Sequence, residues 1–368
     1  MTRHSFDSDS STTSRNALRC LCNALLLAPE ARQKYVDLGY EAKACSKLSN
    51  DNRDDEFLVS RAIFLTTYGT TAHIPELIDK HHLAEIIVEN IERHVKRGAT
   101  SNQTGDPMEQ MALAETLKLL FNITHYCKDK TSSFTPAIPH IVMLLRNSAL
   151  QTTQPLEPPI GSLVNALLNL DLGAVEIRSS FYPENEPTSF SDRLLDLLTR
   201  SRKSYNDEEL ETNVTPLVGV IRAVHEYASE EVKTSIRQKL LPTETDRNEV
   251  LGIGTSVPSW LLKNTTNPLT PHLRETISDL LFEMSDKDPT TFVSNVGYGF
   301  ASGYLFSRNL PVPDAAAEIS GGIGGGENRP INPVTGQFLD RERQLDLPEM
   351  TDEEREREAE RLFILFER

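Results

Sequence analysis

Residues 117–124 read LKLLFNIT, and the fold turns on how those eight residues are read. Leu117, Leu120 and Phe121 recur at helical spacing and line one face of a helix, with Asn122 standing at the edge of that stripe. The same frame appears in Leu18-x-x-Leu21-Cys22-Asn23, Val164-x-x-Leu167-Leu168-Asn169 and Leu217-x-x-Val220-Ile221-Arg222. Two looser copies lie around Ile63-Phe64-Leu65 and Ile277-x-x-Leu280-Leu281-Phe282. From Asn23 to residues 65, 122, 169, 222 and 282 the steps are 42, 57, 47, 53 and 60. Armadillo and HEAT units run roughly 40–47 residues, so the longer steps require insertions. Three candidates are rich in Pro, Ser, Thr or Asn, as loops are: 97–109, 147–159 and 180–192. The expected fold is all-α, an irregular armadillo/HEAT-like α-solenoid over residues 15–308.

Outside that array the composition changes. Residues 1–14, MTRHSFDSDSSTTS, are polar and are expected to be disordered. Residues 309–347 are Pro- and Gly-rich and read as a flexible linker. Residues 348–368 read as a C-terminal amphipathic helix. Thr351 and Glu354 form a capping box there, and Ala359, Leu362, Phe363 and Phe366 give a narrow apolar stripe on a charged rod. Such a stripe requires a docking surface, on this chain or on a partner.

With 54 Asp and Glu against 38 Lys and Arg, the net charge is -16, and the chain as a whole repels nucleic acid and anionic membrane. The N-terminus has no apolar signal-peptide core, and no apolar run approaches the ~18 residues of a membrane span. A cytoplasmic protein is expected. The four cysteines, Cys20, Cys22, Cys45 and Cys127, lack zinc-finger spacing and read as buried thiols. Gly321–Gly326 lacks the Lys-Ser/Thr of a phosphate loop, and LGIGTS at 251–256 fails the same test. The nine histidines have no metal spacing, and no catalytic serine, cysteine or zinc-protease signature is present. Neither a cofactor nor a site for covalent chemistry is expected.

An asparagine repeated on successive inner helices offers a donor and an acceptor to a peptide laid along the array. Asn23, Asn122, Asn165 and Asn169 are the candidates, with Arg222 able to take a carboxylate. The competing use is structural, each amide tying neighbouring helices together. Arg61, inside FLVSRAIFL, is either an edge residue with a buried stem or an anion contact. His125 and His225 sit three residues after the polar residue of the frame and read as groove or interface residues.

RCLCNALLLAPEARQKYVDLGY, DDEFLVSRAIFLTTY, LKLLFNIT, VGYGFASGYLF, INPVTGQ and MTDEEREREAERLFILFER, in this order, closely resemble synembryn over about residues 15–368. Synembryns are cytosolic chaperones and guanine-nucleotide exchange factors for G-protein α subunits. The resemblance therefore implies an armadillo/HEAT-like superhelix whose groove takes the C-terminal helix of the α subunit. It implies contacts from Asn23, with Arg19 beside it, and from the other groove residues named above. It also implies that the segment carrying Leu362, Phe363 and Phe366 embraces the nucleotide-binding domain, so that GDP leaves without a catalytic side chain. The looped insertions look like those of a fungal branch. Relatives carry further repeats ahead of the first one here, which implies an uncapped first end. Ser320 sits beside glycines where animal relatives carry acidic-flanked Ser/Thr, so phosphorylation there is not supported. A monomer recruited to the cell cortex by its partner is expected. The rival expectations are a peptide-binding adaptor without exchange activity and an enzyme, which would need a clustered set of titratable groups.

Overall fold

A computed structural model describes residues 1–100, 106–313, 329–332, 334–342 and 357. The expected C-terminal helix, with Leu362, Phe363 and Phe366, lies outside the described residues, as does the run Gly321–Gly326. Among the described residues the regular elements are helices, and the one β-bridge pairs Ile331 with Phe338.

The chain opens with α1 (Thr2–Asp7), α2 (Ser11–Leu27), α3 (Pro29–Asp37), α4 (Glu41–Leu48), α5 (Arg53–Thr66), α6 (Ile74–His81), α7 (Leu83–Thr100) and α8 (Pro107–Tyr126). Then come α9 (Ala137–Asn147), α10 (Ile160–Leu168), α11 (Arg178–Phe181), α12 (Ser189–Ser204) and α13 (Asp207–Glu209). A wide π turn, Leu210–Val214, leads from α13 into α14 (Thr215–Tyr227). The array closes with α15 (Glu230–Leu240), α16 (Val257–Asn264), α17 (Pro271–Met284), α18 (Pro289–Val296) and α19 (Tyr298–Ser307).

The six frames found in the sequence fall on α2, α5, α8, α10, α14 and α17, and these pack side by side in that order. A second row, α4, α7, α9, α12 and α15, packs in parallel order behind the first. This is an α-solenoid: each layer buries its apolar stripe on the next layer, and the core is continuous along the stack. The inner helices are covered on most sides. In α5, buried side chains include Leu58, Val59, Ala62, Ile63 and Leu65, and burial also takes in Asp55, Glu56 and Ser60. Those buried polar groups are all partnered. Asp55 meets Arg15 at 3.0 Å, Asn50 at 3.0 Å and Lys47 at 3.5 Å, tying α2 and α4 to α5.

Local signals place the helix starts. Asn52 accepts from Asp55 N at 3.1 Å, ahead of three acidic residues in the first turn of α5. Asp106 and Asp288 cap α8 and α18, each followed by proline at the first helical position. Glu211, in the π turn, accepts from His272 N at 2.8 Å and Leu273 N at 3.0 Å, fixing the start of α17 against the turn.

Three expectations are corrected. Residues 1–14 are helical in large part, because Ser14 Oγ donates to Ser5 O at 2.5 Å and Phe6 packs on Tyr35 and Tyr40. The 180–192 stretch is core as well as loop: Phe181 and Phe190 are fully buried, with ring centroids 5.4 Å apart. Within 309–347, the described residues of 331–338 form a docked hairpin. Asn332 N donates to Gln337 O at 2.8 Å across it, and Leu251 N and Gly299 N donate to Thr335 O and Val334 O. Of the cysteines, three are buried as expected, while Cys20 is exposed.

Candidate functional site

The exposed edge of the inner row carries aromatic residues at the C-terminal ends of successive helices. Phe64 stands in the last turn of α5 with Tyr68 four residues on, just past the helix end, and Phe121 and His125 have the same spacing within α8. Their rings run as a ladder: Phe64 to Tyr68 at 5.3 Å, Tyr68 to Tyr126 at 6.5 Å, Tyr126 to His125 at 5.1 Å and His125 to Phe121 at 6.1 Å. Edge-on and stacked contacts of this kind hold large rings rigid at a surface. Leu168 on α10 and Tyr227 on α14 continue the row and are also exposed.

Beside the ladder lies a groove of about 330 Å³, lined by Phe64, Tyr68, Phe121, Asn122, Asn165 and Asn213. The π turn brings Asn213 into it, and the loop carrying Leu156 and Pro158 forms one wall. Gly161 allows that wall to approach, since a Cβ there would stand 2.2 Å from Leu156 O. Asn165 and Asn213 make no side-chain hydrogen bond to a described residue, so their amides are available to a ligand. A rigid apolar ladder beside free amides suits an amphipathic peptide, whose rings and aliphatic groups meet the ladder while its polar groups meet the asparagines.

The residues singled out in the sequence divide by their surroundings. Asn23 is exposed on α2 and Arg222 is exposed on α14, neither side chain making a hydrogen bond to a described residue. Arg19 is exposed and lies 3.2 Å from Asp54. Asn122, by contrast, is buried and donates to Thr67 Oγ1 at 2.8 Å, and Asn169 donates to Phe121 O at 3.1 Å. Those two amides tie neighbouring inner helices. Arg61 lies over Phe57 and 3.5 Å from the buried carboxylate of Glu115, which accounts for its place inside an apolar run. His225 is an interface residue of the stack, buried between α14 and α17 with Nδ1 3.1 Å from Glu283 Oε1. His125, read from the sequence as a groove or interface residue, stands in the ladder, while its other rings and Asn213 were not singled out, although the repeated spacing of four was a usable signal.

A buried polar cluster lies behind this face. His94 Nε2 is 2.8 Å from Glu56 Oε1, and Thr116 Oγ1 donates to the same oxygen at 2.8 Å. His94 Nδ1 is 2.5 Å from Glu109 Oε1, off the ring N–H direction, so that contact is an ion pair. Burial acts to lower the His94 pKa, but its contacts with Glu109 and Glu56 outweigh this and hold it above the ordinary value. Burial likewise acts to raise Glu109, yet His94 and Arg97 bring it down to about 2. Among the described residues no group of three or more His, Cys, Asp or Glu is arranged to hold a metal ion, and no helix is long and apolar enough to cross a membrane.

A stacked helical array with an exposed groove of rings and amides places the chain among the α-solenoids, whose stacked repeats offer extended binding surfaces. Within that class the sequence is specific: the model of the family described as guanine nucleotide exchange factor synembryn matches residues 1–368. The chain belongs to the synembryn family. Similar relatives include a synembryn-like chaperone of Schizosaccharomyces pombe, 24% identical over 92% of this chain and 67% of that one. Chaperone Ric-8A of Pongo abelii is 25% identical over 96% of this chain and 70% of its own length, and that of Bos taurus is 24% identical with the same coverage.

Proposed function

We propose that this chain is a guanine-nucleotide exchange factor and folding chaperone for G-protein α subunits. Family membership supports the exchange and chaperone roles, and the α-subunit partner follows from the resemblance of the sequence motifs. The observation that carries the reading is the ladder Phe64–Tyr68–Tyr126–His125–Phe121 beside the unpartnered amides of Asn165 and Asn213. This face accepts the amphipathic C-terminal helix of the α subunit, with Asn23, Arg19 and Arg222 extending the contact to either side.

Exchange then needs no covalent step. The groove takes the partner's last helix away from the partner's own nucleotide domain, so the chain binds the nucleotide-free form more tightly than the GDP-bound form. GDP release follows from that difference in affinity, and its size limits the effect. The segment 348–368, with Leu362, Phe363 and Phe366, contacts the nucleotide domain itself. The same grip shelters a newly made α subunit before nucleotide is bound. The protein works as a monomer in the cytoplasm and reaches the cell cortex through its partner.

The test is GDP release from a purified, GDP-loaded α subunit, with the full chain and with residues 328–368 removed. Acceleration by the full chain, a stable nucleotide-free complex, and loss of rate on truncation are expected. Peptide binding without any acceleration by either chain would instead establish an adaptor.

A further inference from the structure

Helices α13 and α14 form one continuous rod, but the joint between them is wider than an α-helix. Thr215 N donates five residues back, to Leu210 O, where an α-helix would reach four. Pro216 explains the wide turn. It has no N–H for Thr212 O, and in a regular helix its ring would strike that carbonyl. Two hydroxyls close the turn, Thr212 Oγ1 donating to Glu208 O at 3.0 Å and Thr215 Oγ1 to Glu211 O at 2.7 Å. With Glu211 bound to the start of α17, the turn is fixed, and Asn213 lines the groove from it.

Asn213 joins a polar stretch of the groove lining. Ser162 and Asn165 stand one turn apart on α10 and share its face. Ser162 is only 9% exposed, yet its hydroxyl makes no hydrogen bond to a described residue. A buried hydroxyl left open toward a groove costs free energy that a ligand recovers. Lys118 is the one charged residue among the described residues that line the groove. Its Nζ lies 2.9 Å from the buried carboxylate of Glu115, which Arg61 also approaches at 3.5 Å. Two cations share that one anion, so a positive charge is left over beside the groove, although the whole chain is at -16. Ammonium, hydroxyl and both amides can all donate, and a helix lying here has its own main-chain carbonyls already bonded. The acceptor these donors fit is a side-chain carboxylate, whose two oxygens take several donors at once.

We propose that Asn213 is a specificity-determining residue of the groove: with Asn165, Ser162 and Lys118 it binds a carboxylate side chain on the docked helix. This rests on the exchange reading above, which seats the α subunit's C-terminal helix at this face.

Two peptides titrated against the full chain test this. One copies the α subunit's C-terminal helix, and the other is the same peptide with each Asp and Glu changed to Asn and Gln. The wild-type chain is expected to bind the acidic peptide at least about tenfold more tightly. Asn213→Ala removes one donor and should weaken the acidic peptide about fivefold. Asn213→Asp keeps the size but sets one carboxylate against another, and should weaken it more than about tenfold. Against the amide peptide the two variants should agree within about twofold, because the repulsion is gone. The Asn213 side chain makes no hydrogen bond to a described residue, so urea midpoints of both variants should match the wild type. That match separates lost recognition from lost structure. The concentration giving half-maximal GDP release should rise by the same factors. Full affinity of Asn213→Asp for the acidic peptide, equal wild-type affinity for both peptides, or an Asn213→Asp loss that persists with the amide peptide would each overturn the inference. A wild-type chain that binds neither peptide defeats the exchange reading, and this inference with it.

Discussion

Asn122 and Asn23 occupy the same place in the repeated frame, yet Asn122 donates to Thr67 Oγ1 while Asn23 faces solvent. The difference arises from what stands across the joint, and the frame does not encode that. Asn122→Ala leaves Thr67 Oγ1 without its donor inside the stack and should cost about 1–2 kcal/mol in urea unfolding. Asn23→Ala should change stability by less than about 0.5 kcal/mol but weaken binding of the α subunit. If both variants unfold alike and bind alike, the division of the asparagines is wrong. His94 gives a second residue-level expectation. Its folded pKa lies above the unfolded value of about 6.5, so its contribution is complete below that pH and is lost as pH rises through the folded pKa. Urea midpoints should fall as the pH rises above about 6.5, and His94→Gln should flatten that fall. The carboxylates facing it are Glu56 and Glu109, the second also paired with Arg97, so a variant with an unchanged slope would assign the effect elsewhere.

At the scale of elements, the inner row was legible because burial and helix period act together. A helix packed between two neighbours must repeat its apolar residues at three and four, and the six frames mark the six inner helices in order. Elements held by polar contacts were not legible. The segment INPVTGQ reads as linker because its seat is made by Arg247, some ninety residues earlier, through carbonyls that every residue owns. Phe181 and Phe190 escaped because they stand in a stretch rich in Pro, Ser and Glu. The groove depends on an element of this second kind, the loop around Leu156. Gly161→Ala places a methyl 2.2 Å from Leu156 O, and a backbone atom yields less readily than a side chain tip. A loss of about 1–3 kcal/mol is expected, together with weaker peptide binding as the groove wall moves. Unaltered thermal unfolding would show that the loop shifts freely.

Over the whole molecule, each inner helix touches mainly the one before and the one after, so stability is close to a sum over layers. The solenoid class was readable from the repeated frame, and the candidate site was readable only in part. Asn165 and Arg222 were named for their residue type, but the ladder that gives the face its shape appears only when five rings from α5, the bend after it and α8 come together. The hairpin sets a different order of events from the stack on which it sits. A chain made from its N-terminus can stack its layers one by one during synthesis, since each joint needs only its predecessor. The hairpin cannot join in that progression, because its seat draws on residues 247–251 and on Ser294–Gly299, all of which must already be in place. Its closure is therefore among the last steps after the ribosome has passed residue 338, a latch that only a finished array can engage.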